Sequence, residues 1–98
     1  MDIYNVTARV RVIDPQCLSL ARTQMAQLQR LTRNEAKCRM FSIFEDRKRE
    51  SEFLLWESWV GKAGLDAHFA QPHTQRYMAM NLTEVVEFTE LSALEAEI

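Results

Sequence analysis

Three side chains stand out as able to move protons: Glu57, His68 and His73. Glu57 lies within Phe53-Leu54-Leu55-Trp56-Glu57-Ser58-Trp59. Alternation along that run places it on one face with Phe53, Leu55 and Trp59. A carboxylate on an apolar face is costly unless it is paired or hydrogen-bonded. Burial would raise its pKa, and a partner imidazole would oppose the rise. The alternative is an edge-strand glutamate that reaches water. His68 follows Leu65 by three positions, at the border of a buried helical stripe, where a histidine serves either as a satisfied structural residue or as a base. His73 follows Pro72 near the start of a helical piece, where a capping or solvent-exposed role suits it. Two histidines five apart across a proline share no helical face and make a poor metal clamp. Cys17 and Cys38, 21 positions apart, match no zinc spacing either, so no metal is expected.

The elements that must position these groups follow from periodicity. Ile3 to Ile13 alternates, with Tyr4, Val6, Ala8, Val10 and Val12 on one face and Asn5, Thr7, Arg9 and Arg11 on the other, which predicts a strand. Asp14-Pro15 is an N-cap followed by proline at the first helical position, and Leu18, Ala21, Met25 and Leu28 form the apolar stripe of a helix ending about Thr32. Cys38 to Glu45 and Glu52 to Trp59 are strands joined by a charged turn into a hairpin. Gly61 to Ala70 is helical, Pro72 interrupts it, and a second helical piece covers His73 to Met80. Leu82 to Leu91 is a fourth strand, and residues 92–98 are expected to be a flexible, frayed helical tail.

The order βαββαβ predicts an α+β, ferredoxin-like fold: an antiparallel sheet with helices on one face, in a single domain over residues 1–98. The face away from the helices should be polar, yet Leu54 and Trp56 fall there. The simplest cover is the same sheet of a second copy in a two-fold homodimer.

Composition excludes several classes. Twelve Lys and Arg against 14 Asp and Glu leave no basic excess for nucleic acid. The longest apolar runs are four residues, Phe53 to Trp56 and Tyr77 to Met80, too short to span a membrane. No secretory leader is expected, so the two cysteines are expected to be reduced in a cytoplasmic protein. Gly61 and Gly64, the two glycines, build neither a dinucleotide fingerprint nor a phosphate loop, so no cofactor is expected.

Leu55-Trp56-Glu57-Ser58-Trp59, then Leu65-Asp66-Ala67-His68, then Pro72-His73, resembles the antibiotic biosynthesis monooxygenase (ABM) family. That family shows an aromatic-Glu-x-aromatic strand end, then Ala-Leu-x-x-His, then Pro-His. Thr32-Arg33-Asn34-Glu35 before Cys38 is similar to the family segment ending in Glu-x-Gly-Cys, with Lys37 in place of glycine. Gly64 stands where the family has alanine or another small residue. The haem-degrading branch matches poorly, because it has tryptophan at the position of His68 and its haem-ligand histidine falls near Met78.

The resemblance implies a dimeric α+β barrel and a range of reactions. The leading expectation is a cofactor-independent monooxygenase acting on a small aromatic quinol or polyphenol with molecular oxygen. Glu57 and His68 would be a hydrogen-bonded acid–base pair, with Trp59, Phe69, Tyr77 and His73 contacting substrate. The alternatives are an isomerase of a small carbonyl compound using the same pair, and a ligand-binding module without catalysis. A phosphorylated substrate would call for arginines, of which Arg33 and Arg76 border the pocket at best. An apolar cavity of about 300 Å³ or more favours the oxygenase.

Overall fold

The structure is a computed structural model, and it describes residues 2–94. The elements are β1 (Ile3–Val12), a 3₁₀ turn (Pro15–Cys17), α1 (Leu18–Thr32), β2 (Cys38–Glu45), β3 (Glu52–Val60), α2 (Gly61–Phe69), α3 (Pro72–Ala79) and β4 (Thr83–Leu91). The antiparallel sheet has the order β2-β3-β1-β4. This is the ferredoxin-like α+β arrangement expected from the pattern, with element boundaries within a residue or two. Of the expected tail, 92–94 form neither helix nor strand, and 95–98 lie outside the described residues.

Local chemistry sets the boundaries. Asp14 accepts a hydrogen bond from the Gln16 amide, and Pro15 opens the 3₁₀ turn that leads into α1. Gly61 starts α2 at φ +71°, a left-handed conformation that glycine adopts without a Cβ penalty. Pro72 begins α3 in a position where its missing amide proton removes no helical hydrogen bond. The free edge of β2 is covered by α1: the Gln29 side chain accepts from the Ile43 amide at 2.7 Å, and Arg33 Nε donates to the Phe41 carbonyl at 2.8 Å.

Strand register sorts the side chains. Val6, Ala8, Val10 and Val12 face the helices, and the residues opposite the first three on β3 are Glu57, Leu55 and Phe53. The other face carries Leu54 and Trp56, joined by Phe44 across from Leu54. Trp56 is 45% exposed and Phe44 54%, so in one chain this apolar surface stands open.

The helix-side core falls into two clusters. One holds Val10, Val12, Ala21, Met25, Phe53 and Leu82; the other holds Val6, Leu28, Phe41, Trp59 and Leu65. Ile43, Leu55 and Tyr77 touch both, and all three line a cavity between them.

Lys37 and Gly64 occupy complementary space. A Cβ at Gly64 would lie 3.1 Å from the Lys37 Cβ, 3.2 Å from the Trp59 Cβ and 3.3 Å from the Lys37 carbonyl oxygen. Lys37 is not among the residues with positive φ, so its turn needs no glycine; its Cβ fills room that a larger residue at 64 would use. Gly64→Ala is therefore expected to cost about 1–3 kcal/mol through overpacking, and Lys37→Gly in the same chain should recover part of that loss. Denaturant titration of both single variants and the double variant measures the coupling. A Gly64→Ala penalty unchanged by Lys37→Gly would contradict it.

Candidate functional site

The cavity has a volume of about 320 Å³ and lies between α2, α3 and the helix-facing side of the sheet. Its walls are mostly apolar, with Ala8, Val10, Met25, Leu28, Phe41 and Leu55 among them. Among the described residues the titratable groups on the wall are Glu57, His68 and Tyr77. The mouth carries exposed apolar side chains: Phe69 and Met78 from the helices, Val85 and Phe88 from β4. The Tyr77 hydroxyl and Thr83 Oγ1, 2.8 Å apart, tie the end of α3 to the start of β4.

Glu57 reaches the cavity because strand alternation leaves it no other direction. It pairs with Val6 on one side and Phe41 on the other, both buried. Two residues further along the same face, the Trp59 indole Nε1–H donates to Glu57 Oε1 at 3.0 Å. Burial pushes the Glu57 pKa up to about 7; the Trp59 bond opposes the rise, and the charge of Glu35 adds to it. Trp59 itself is fully buried and does not line the cavity. Its observed contact is with the carboxylate, where the sequence suggested a substrate wall.

The expected hydrogen bond between Glu57 and His68 is not formed. His68 Nδ1 lies 2.7 Å from Glu35 Oε2 and 3.2 Å from Thr74 Oγ1. The same Glu35 oxygen lies 2.7 Å from His73 Nε2. The reason lies in the connection from α1 to β2. The Glu35 amide donates to the Thr32 carbonyl, its own carbonyl accepts from the Cys38 amide, and the Val60 amide bonds the Lys37 carbonyl. This folded turn is fixed against the end of β3 and presents the Glu35 side chain beneath α2 and α3. His68 is buried in the last turn of α2 rather than at the border of its stripe, and it packs against Trp59 and Phe41. The two histidines share no helical face, as expected, yet the bend at Pro72 turns both rings onto one carboxylate.

Hydrogen-bond logic sets the tautomers. A carboxylate only accepts, so His68 presents Nδ1–H and His73 presents Nε2–H to Glu35. The unprotonated nitrogen of neutral His68 is then Nε2. Burial lowers the His68 pKa below its ordinary value, with the Glu35 bond acting against that, so near neutral pH the ring is an uncharged base.

The structure thus brings Glu57, His68, Phe69 and Tyr77 onto one cavity. His73 does not line it; this ring sits on the far side of Glu35, beside a small surface pocket shared with Gln24 and Arg76. Glu35 is the residue that sequence reasoning passed over. The signal was present in the Thr32-Arg33-Asn34-Glu35 segment, but a loop glutamate has no periodicity that marks it as buried. Neither Arg33 nor Arg76 lines the cavity.

Comparison with known proteins agrees with this architecture. The family model described as "Antibiotic biosynthesis monooxygenase" matches residues 3–80, and the chain belongs to that family. Rv0793 from Mycobacterium tuberculosis superposes with a TM-score of 0.83 at 28% identity, covering 97% of this chain and 98% of that one. SnoaB, a cofactor-independent oxygenase from Streptomyces nogalater, superposes with a TM-score of 0.79 at 12% identity over 98% of this chain and 97% of its own, a likeness of fold alone. A curated relative, the uncharacterised protein sll1783 of Synechocystis, is 34% identical over 47 residues; the match spans 48% of this chain and 32% of that protein.

Glu57 and His68 have opposite linkage to stability. The folded pKa of Glu57 lies above its ordinary 4.5, so the folded state binds the extra proton and this group's contribution falls as pH rises from about 4.5 to about 7. The folded pKa of His68 is depressed, so its contribution is present above its ordinary 6.5 and is lost as pH falls below that. Glu57→Gln removes only the first effect. Relative to wild type the variant should be more stable at pH 8, by up to about 3 kcal/mol, with the advantage fading toward pH 4.5. Denaturation at several pH values measures this; an offset independent of pH would contradict it.

Proposed function

We propose that the protein is a cofactor-independent monooxygenase that oxidises a small quinol or polyphenol with molecular oxygen. The observation that carries this reading is the apolar cavity of about 320 Å³ whose wall holds an uncharged imidazole and a carboxyl group titrating near pH 7. Family membership supports it. Among the described residues no lysine or arginine lines the wall, so a phosphorylated substrate has no partner there, which disfavours isomerisation of a sugar phosphate.

The chemistry needs no external electron source. His68 Nε2 takes the proton of a phenolic hydroxyl, and the aromatic anion passes one electron to oxygen. The radical and superoxide combine at a ring carbon to form a carbon–oxygen bond. Protonated Glu57 donates to the distal peroxide oxygen as the oxygen–oxygen bond breaks, His68 returns its proton so that this oxygen leaves as water, and the ring carbon loses its hydrogen as a proton to the Glu57 carboxylate. For a hydroquinone the sum is quinol plus O₂ giving hydroxyquinone plus water, with substrate as the sole reductant. The apolar walls exclude water from the reactive anion.

Two copies of the chain are proposed to pair through the sheet face bearing Leu54, Trp56 and Phe44. The exposed apolar area there, on the side without helices, supports this. Trp56→Glu should shift the mass in solution to that of a monomer, or cause aggregation. A variant that stays a well-folded dimer would overturn this interface.

The activity test is oxygen uptake by metal-free protein across a panel of quinols and polyphenols. His68→Ala and Glu57→Gln should each lower the rate by about 10²- to 10⁴-fold. In wild type the rate should fall on the alkaline side near pH 7 as Glu57 loses its proton. Absence of turnover across the panel, or full activity in both variants, would overturn the reading.

A further inference from the structure

We propose that Glu35, His68 and His73 together bind one divalent transition-metal ion, through Glu35 Oε2, His68 Nδ1 and His73 Nε2. The proposal goes beyond the oxygenase reading and does not rest on it.

Four observations support it. The donor set, one carboxylate oxygen and two imidazole nitrogens, is one that zinc and its first-row neighbours favour. The donors are clustered: the carboxylate oxygen is 2.7 Å from each nitrogen, hydrogen-bond distances that would open to about 3.3 Å around a tetrahedral ion, and the three atoms lie within 4.8 Å of one another. All three side chains are held in place, with side-chain exposures of 7% for Glu35, 6% for His68 and 13% for His73. Finally, among the described residues no lysine or arginine bonds Glu35, so the charge of this buried carboxylate is met only by two imidazole N–H groups. An ion in their midst replaces both hydrogen atoms and supplies that charge. Neither ring has to lose a proton overall: each moves its hydrogen to its other nitrogen. Thr74 Oγ1, 3.2 Å from His68 Nδ1, lies beside the site as a neutral polar neighbour.

The position tells what such an ion would do. The cavity wall includes His68 but neither Glu35 nor His73, so the ion sits behind the His68 ring and does not touch a substrate. It would clamp the α1–β2 connection to α2 and α3. It would also turn His68 Nε2 from an acceptor into an N–H donor, so the base of the oxygenase reading belongs to the metal-free form.

The test uses chelator-treated full-length protein. Cobalt(II) is titrated in and followed by visible absorption, and zinc(II) is then added as a competitor. The expected result is one cobalt per chain, with ligand-field bands, no thiolate charge-transfer band and displacement by zinc. Glu35→Gln and His73→Ala should each weaken binding by at least about 10-fold, with fold checked by circular dichroism. His73 is the least buried of the three, so His73→Ala keeps the test decisive if Glu35→Gln fails to fold. The proposal is overturned if folded wild type shows no saturable binding, if folded His73→Ala binds as tightly as wild type, or if a thiolate band shows that the cysteines hold the metal.

Discussion

One carboxylate oxygen organises the chemistry of this fold. Glu35 Oε2 takes a hydrogen bond from each of two imidazoles, and those bonds decide which nitrogen of His68 is left free. A carboxylate behind the ring can only accept, which fixes the tautomer of a buried neutral histidine more firmly than the Thr74 hydroxyl, which can donate or accept. Glu35 can fill this role because both its amide and its carbonyl are bonded within the folded turn between α1 and β2. Main-chain rigidity is thereby passed to a side chain, and from it to the ring that faces the cavity.

The cavity itself is a consequence of how the core divides. α1 packs with β1 and β3 at one end, while Trp59, Phe41 and Leu65 fill the other, and the gap between is lined by residues that touch both groups. Interiors are otherwise close-packed, so a void of this size is a departure from the general rule. The same apolar walls that leave space for a ligand make Glu57 difficult to ionise and keep His68 uncharged. One desolvated environment thus raises the pKa of the carboxyl group and lowers that of the imidazole.

Much of the fold was legible in the sequence, because strand and helix periods are strong where one face is buried. The alternation of β1 and the stripe of α1 placed both elements, and Leu54 with Trp56 marked the open sheet face. Glu57 was legible for the same reason: alternation assigns its face outright. What stayed hidden depended on where loops go. The Glu57–His68 pairing followed from spacing alone, and spacing does not say which loop residue reaches a helix terminus first. Glu35 sits in a turn without periodicity, so neither its burial nor its distance from His68 could be read from its neighbours. The convergence of His68 and His73 was likewise invisible, since it arises from the bend at Pro72 between two short helices. Lys37 and Gly64 are the reverse case: both departures from the family pattern were visible, and only the three-dimensional packing shows that they share one space.

Whether Glu35 sets the free nitrogen of His68 is decided by the protonation of that ring in solution, read by nitrogen-15 NMR of the imidazole in metal-free wild type at pH 7. The expected spectrum is that of a neutral ring with hydrogen on Nδ1 and an unprotonated Nε2. A ring protonated on Nε2 alone, or an imidazolium at that pH, would contradict it, because neither leaves Nε2 as the free nitrogen.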